Sequence, residues 1–433
     1  MTRRIPLIIV IFVVAMAITA SLALYENNLI SPPQNLPANE GTVAWQNSLS
    51  HTVGGFTVAD NKVFVSNGNV SCFDAASGRL LWNATSGYGA ISVSEGKVYV
   101  ATYGSTIKRL DESTGKFEVQ YYVPTSNDRL LPTFSVADGL VFAGSSAFNA
   151  ATGEMIWSNS HYQSPKINHT SAHPSKSNYV LIQRTTDQLT ERIDPDNGRD
   201  IWNFTGYASR SLLISDEQVI LWNYATKPTF IPADEHSIVC LNKETGKAIW
   251  NYSTASQVFQ PAVADGLVMF GSQDGYFYAL SLVDGSLKWK TYVDLYGLIQ
   301  GYGSHYLQNP TGLYIEAAQP LIDTPNHRIY WNVFTSDKDS KYSGVILSLN
   351  TQNGNRTWIT PFSSSAVYIP EGFANMALQG NKLFVSANLD LYCVDAQLGN
   401  ILWKSSFNQS LSRPLTMDNM VFIAADLNLI AYK

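Results

Sequence analysis

Short apolar runs broken by a tight polar pair recur along this chain. "FTVADNKVFVSN", "ISVSEGKVYVAT", "FSVADGLVFAGS", "AVADGLVMFGSQ" and "ALQGNKLFVSAN" each stop at Asp-Asn, Glu-Gly, Asp-Gly or Gly-Asn and then resume. This is the pattern of strand, tight hairpin, strand. A second phrase follows the runs, clearest as "LNKETGKAIWNYS" at 241–253. Its relatives are "FDAASGRLLWNAT", "LDESTGKFEVQYY", "FNAATGEMIWSNS", "IDPDNGRDIWNFT", "LSLVDGSLKWKTY", "LNTQNGNRTWITP" and "VDAQLGNILWKSS".

The eight phrases align on Gly78, Gly115, Gly153, Gly198, Gly246, Gly285, Gly354 and Gly399. Four residues earlier stands Asp74, Asp111, Asn149, Asp194, Asn242, Asn350 or Asp395, with Ser281 as the exception. An Asx side chain bonds a backbone N–H two residues on and starts a turn, and the glycine supplies the positive φ that ends it. Four residues after the glycine stands Trp82, Trp157, Trp202, Trp250, Trp289, Trp358 or Trp403, with Val119 as the exception. With Trp45 these are eight of the ten tryptophans. No catalytic or ligand-stacking role needs eight equivalents, so the indole is expected to be a packing wedge between neighbouring units. Trp250→Ala should then cost more than Trp222→Ala, because Trp222 lies outside the register.

Each unit reads as four short antiparallel strands, and a repeat of this length marks a propeller or solenoid. "RPLTMDNMVFIAADLNLIAYK" at 413–433 supplies three strands, and "GTVAWQNSL" at 41–49 supplies a fourth. Joining them closes a ring without an unpaired edge. The motif count is therefore nine units, eight internal and one built from both ends of the sequence.

Residues 5–24, "IPLIIVIFVVAMAITASLAL", carry no charge and follow Arg3 and Arg4. Twenty apolar residues in a helix match a hydrocarbon core of roughly 30 Å. The flanking arginines keep the N-terminus cytoplasmic and export the rest. The expected organisation is a signal anchor at 1–24, a Pro- and Asn-rich linker at 25–40 and the repeats at 41–433. The competing reading is a cleaved signal peptide, with "SLA" before Leu24 as the small-x-small site. The first places the protein on a membrane, at the cell surface or in a periplasm; the second secretes it.

Charged residues are 14% of the chain and the net charge is −6, with no basic stripe for a phosphate backbone, so nucleic acid is not an expected partner. Aromatics at 12% favour strands. Cys72, Cys240 and Cys393 occupy one register in separate repeats, which fits buried free thiols and no disulfide framework. His161, His169 and His173 fall in "HYQSPKINHTSAH", whose prolines point to an irregular polar crossing between units and not to a metal site.

The D-x-x-T-G-x-x-x-W phrase resembles the mark of the PQQ-like (pyrroloquinoline-quinone-type) repeat family of β-propellers. The likeness covers 41–433. It implies an all-β propeller of four-stranded blades, and family precedent implies eight of them against nine by motif. The family includes dehydrogenases, scaffolds and sensors. Its quinone enzymes imply a vicinal Cys-Cys pair, a calcium site and in some members a C-x-x-C-H haem motif; the cysteine motifs are missing from this sequence. No cofactor and no catalytic residue is therefore expected. The chain is similar to the propeller component of the outer-membrane protein assembly machinery, though no cysteine follows the apolar segment to carry a lipid. The expected function is a membrane-tethered, non-catalytic binding or assembly scaffold. The alternatives are a quinoprotein-like oxidoreductase and a sugar- or peptide-sensing module.

Two irregularities carry the functional expectation. The interval from Gly285 to Gly354 is 69 residues, and it holds Tyr296, Tyr302, His305, Tyr306 and Tyr314 among glycines. Such an insertion belongs on one mouth of the ring, where tyrosine suits a protein or glycan partner. Asn-x-Ser/Thr occurs at Asn69, Asn83, Asn168, Asn203, Asn251, Asn355 and Asn408. The number is what an Asn-rich chain yields by chance, but Asn83, Asn203 and Asn251 share the position after the tryptophan. Strand alternation turns them away from the side on which the indole packs, toward water.

Overall fold

In a computed structural model the described residues are 41–124, 131–144, 146–158, 167–169, 180–184, 189–205, 212–215, 217–222, 236–294, 314–317, 319–336, 342–364, 376–387, 389–409, 411–425 and 427–433. They form nine antiparallel sheets, eight of four strands and one of five. In chain order these lie at 55–87, 91–122, 134–158, 167–205, 212–253, 262–292, 314–364 and 376–406. The ninth joins Leu415–Met417, Met420–Ala425 and Asn428–Tyr432 to Val43–Ser48. Among the described residues the sheets therefore number nine, as the motif count has it, and not the eight of family precedent.

The hairpins follow from their turn residues. Asp60 and Asn61, Glu95 and Gly96, Asp138 and Gly139, and Asp265 and Gly266 all have positive φ, as a two-residue turn matching strand twist requires. Second and third strands are buried almost throughout: in Lys62–Ser66 and Tyr276–Ser281 only the first residue is half-buried and the rest are buried. Both faces of each sheet are covered, so these strands read as apolar runs. Fourth strands alternate, as in Ala248–Ser253, where Trp250 is buried between exposed Ile249 and Asn251.

The turn phrase behaves as its residues dictate. Asn242 Oδ1 accepts from the backbone N–H of Glu244 and Thr245, and Gly246, at φ 67°, donates its N–H back to Asn242 O. The wedge is shared with the next sheet. The Trp45, Trp82, Trp157, Trp202, Trp250, Trp289 and Trp358 indole N–H groups donate at 2.7–3.0 Å to Ala75, Glu112, Pro195, Lys243, Leu282, Thr351 and Ala396 O. Each acceptor directly follows the Asx position of the next phrase. The ring then lies flat on that phrase's glycine: a Cβ on Gly285 would sit 2.7 Å from Trp250 Cδ2. The glycine is thus required twice, for its φ and for the close approach. Trp403 approaches Gly41 through Cη2 and Cζ2, each 2.8 Å from where a Cβ would sit, and Trp45 of the ninth sheet meets Gly78 of the first.

The ninth phrase is divided between distant parts of the sequence. Lys433 N–H donates to Thr42 O at 3.0 Å, the bond that Asp74 N–H makes to Arg79 O within a single phrase. Gly41 and Trp45 keep the four-residue spacing.

The second sheet, which lacks the tryptophan, meets the third differently. Val119 sits against Gly153, and the donor to Ala150 O is the Tyr121 hydroxyl at 2.6 Å, joined by Arg109 Nη1. Arg109 stands across the strand pair from Val119, where Cys72, Ala147, Cys240, Ala279, Ser348 and Cys393 stand across from tryptophans. A long side chain thus fills the space that a small residue leaves to an indole. Arg192 opposite Trp202 departs from this and reaches out to Glu244.

Two expectations fail on burial. Trp222 is 3% exposed, less than Trp250 at 8%, so lying outside the register does not make it cheap to remove. His169 belongs to the strand Ile167–His169 and not to a crossing loop; His161 and His173 lie outside the described residues.

Candidate functional site

The insertion begins at the sixth sheet. Tyr296, Tyr302, His305 and Tyr306 lie outside the described residues, and Tyr314 opens the strand Tyr314–Ala317, paired with Val333–Ser336 in the seventh sheet. Tyr314 is therefore a strand residue and not part of a free loop. Some of the long interval is also sheet: Arg328–Ser336 and Tyr342–Asn350 are each 9 residues long.

At the root of the insertion the sixth sheet carries an aromatic and charged corner. Tyr276 pairs with Tyr292 and Tyr278 with Lys290 on adjacent strands, so all four project from one face. The Tyr276 and Tyr292 rings are 5.1 Å apart. Lys290 Nζ lies 3.7 Å from the Tyr276 centroid and 4.8 Å from that of Tyr278, a cation held over two ring faces. Tyr252 of the fifth sheet closes the edge, 5.9 Å from Tyr278. Beneath, Phe270 stacks on Tyr278 at 5.0 Å.

The turn at 272–275 fixes this corner. Asp274 accepts from the Tyr276 N–H at 2.9 Å and from the Tyr278 hydroxyl at 2.6 Å. Burial first, and then the hydrogen bond to that carboxylate, push the Tyr278 phenol well above its ordinary range, so it stays a donor. Gly275, at φ 81°, leaves room for Tyr292: a Cβ there would meet Tyr292 Cε2 at 2.9 Å. Val293 N–H then returns to Gly275 O, and the chain leaves toward the insertion. The exposed part of the corner is Tyr292, at 55%, and Lys290. The arrangement offers a rigid aromatic surface beside a cation, suited to contact. Sequence reasoning passed over Tyr276, Tyr278, Lys290 and Tyr292. Their alternation in "GYFYALS" and "LKWKTY" was the available signal.

The shared sequon asparagines emerge where alternation places them. Asn83, Asn203 and Asn251 are exposed on fourth strands, each one residue after a buried tryptophan. Cys72, Cys240 and Cys393 are fully buried in three sheets, and burial pushes each thiol up to about 12. Among the described residues no group of three metal-ligating side chains comes together. None of their helices is long and apolar enough to cross a membrane, and segment 5–24 lies outside them.

A family model described as outer membrane protein assembly factor BamB matches residues 34–146, 191–296 and 336–433. The outer membrane protein assembly factor BamB of Yersinia pestis is 26% identical over 110 residues, covering 24% of this chain and 28% of that protein. The match thus spans little more than a quarter of that relative. A quinohemoprotein alcohol dehydrogenase of Pseudomonas putida aligns over 94% of this chain and 79% of its own, with a TM-score of 0.51 and 14% identity. Sqt1 of Saccharomyces cerevisiae aligns over 91% and 99%, with a TM-score of 0.51 and 11% identity. At these identities the likeness is one of fold. The three cysteines are buried in separate sheets and form no adjacent pair.

Proposed function

Since this chain belongs to the family described as outer membrane protein assembly factor BamB, we propose that it is a non-catalytic scaffold: an extracytoplasmic, membrane-tethered β-propeller that holds a protein partner. Segment 1–24 is the tether, 25–40 the linker and 41–433 a closed ring of nine blades. The chain of wedge contacts supports closure, running from each sheet to the next and from Trp45 back to Gly78. The outer-membrane assembly role belongs to the Yersinia protein's name and comes to this chain as part of the proposal.

The observation that carries the binding role is the corner of Tyr276, Lys290 and Tyr292 at the root of the tyrosine-bearing insertion. Aromatic side chains preorganised on strands lose little entropy on binding and are enriched among binding hot spots. Tyr296, Tyr302, His305, Tyr306 and Tyr314 extend this contact surface in the proposal.

The test is cross-linking and recovery from native membranes, with full-length protein. Tyr292→Ala with Lys290→Ala, and separately Tyr302→Ala with Tyr306→Ala, are expected to lower partner recovery about tenfold, the loss of one or two hot-spot contacts. Thermal unfolding should be unchanged. Folded variants that recover every partner as wild type does would overturn the reading. For the tether, intact mass of the native protein should include residues 5–24, and a mature N-terminus near Leu24 would leave a secreted propeller instead.

A further inference from the structure

We infer that Asn83, Asn203 and Asn251 are N-glycosylated, so that the outer rim of the first, fourth and fifth sheets is coated with glycan. The inference rests on the export proposed above. In each triplet the middle residue faces inward: Ala84 and Phe204 pack against core clusters, and Tyr252 packs on Phe270 and Tyr278. The asparagine faces out in all three, and the hydroxyl residue two positions on, Thr205 or Ser253, is exposed beside its asparagine in the fourth and fifth sheets. An extended strand presents residues i and i+2 on one side, so acceptor and hydroxyl project together.

The remaining described sequons differ. Asn69 is half-buried and its Ser71 is buried, and the Thr357 hydroxyl that serves Asn355 donates to Ser348 O. The other tryptophans of the register are followed by Gln46, Ser158, Lys290, Lys404 and the buried Ile359, so exposure at this position does not by itself require a sequon. Exposure therefore permits the modification, and the sequon with its outward hydroxyl specifies it.

The acceptor is the Asn Nδ2 and the donor is a lipid-phosphate-linked oligosaccharide. A C–N bond forms at the anomeric carbon and the anomeric C–O bond to phosphate breaks. The lipid phosphate leaves with that electron pair, and Nδ2 releases one proton to solvent. The glycans would stand beside Leu81, Ile201 and Ile249, which are exposed on the same outer strands. These strands also present an unpaired sheet edge, a template for unwanted pairing that a hydrated branch would block. The corner at Tyr292 and Lys290 lies on the sixth sheet, which carries none of the three sites.

The experiment is glycopeptide mass spectrometry and intact mass of the full chain from its own cells, with protease accessibility of spheroplasts, stripped of any outer envelope, in parallel. Oligosaccharide is expected on all three asparagines, and Asn83→Gln, Asn203→Gln and Asn251→Gln should each remove one increment of mass. Mapping wild type decides the matter even where a variant fails to fold. Three bare asparagines on a protease-accessible protein would overturn the glycosylation alone. Three bare asparagines on a protease-protected protein would overturn the export and the glycosylation together.

Discussion

The junction between the second and third sheets differs from the junctions built on an indole. At most of those, one tryptophan does two things: its ring covers a glycine and its N–H meets the carbonyl after the Asx residue. Between the second and third sheets these tasks are divided. Val119 covers Gly153, Tyr121 and Arg109 serve the carbonyl of Ala150, and the Arg109 stem occupies the missing ring's volume. What the repeat demands is a buried donor for that carbonyl and a filled space above the glycine. The tryptophan is one way to meet both. A buried carbonyl without a partner would cost roughly 1–3 kcal/mol, which is why the exception keeps the donor while losing the ring.

Removing a wedge should give the largest effect. Trp250→Ala is expected to cost about 3–5 kcal/mol in denaturant unfolding, as for other buried large-to-small changes. Trp222→Ala should cost at least as much, given its deeper burial. A small loss at Trp250 would break the equivalence of ring and wedge.

Converting the exception to the rule sharpens the comparison. Val119→Trp alone crowds Arg109, and Arg109→Cys alone leaves a gap. Each should cost about 1–3 kcal/mol, whereas the double variant should recover most of the loss. Additive losses in a double-mutant cycle would mean that the two residues do not share one volume.

The smallest effect isolates the donor. Tyr121→Phe should cost about 1 kcal/mol near pH 8, because Arg109 still serves the carbonyl. Burial chiefly raises the Tyr121 phenol above the ordinary tyrosine range, which lies near about 10. Below pH 10 it is neutral folded and unfolded, and its contribution is constant. Above pH 10 the unfolded chain ionises first, so wild type loses stability that the phenylalanine variant keeps. The gap between the two should narrow as pH rises, as measured by urea unfolding at several pH values. A gap that widens would place the phenol's role elsewhere.

Local chemistry explains what was readable. Asx, glycine and the paired turn residues act within a few positions, so hairpins and repeat number followed from spacing, and the count overruled precedent. The Arg109–Tyr121 substitute was not readable, because it joins two strands of one sheet to a turn of the next. The corner was missed for a similar reason: attention went to the irregular insertion, while Tyr276 and Lys290 sat in regular strands. Trp222 shows that register reports position, and burial has to be seen. Exposure of the sequon asparagines was readable because strand alternation alone decides it.

The division of the ninth sheet has a kinetic consequence. Ser48 meets Asn428 across 380 residues of sequence, the widest separation among the described side-chain contacts. Every other sheet draws its strands from one short stretch and can form early. The pairing of Val43–Ser48 must wait for the other eight and bears the largest loop-closure entropy. The same strand is the one whose release undoes no hairpin, since no turn ties it to its partner. In native-state hydrogen exchange, amides of Val43–Ser48 should take up deuterium by a sub-global opening before those of the equivalent fourth strand Ala248–Ser253. The seam that joins these two distant parts of the sequence is then also a latch, the place where the molecule first admits solvent.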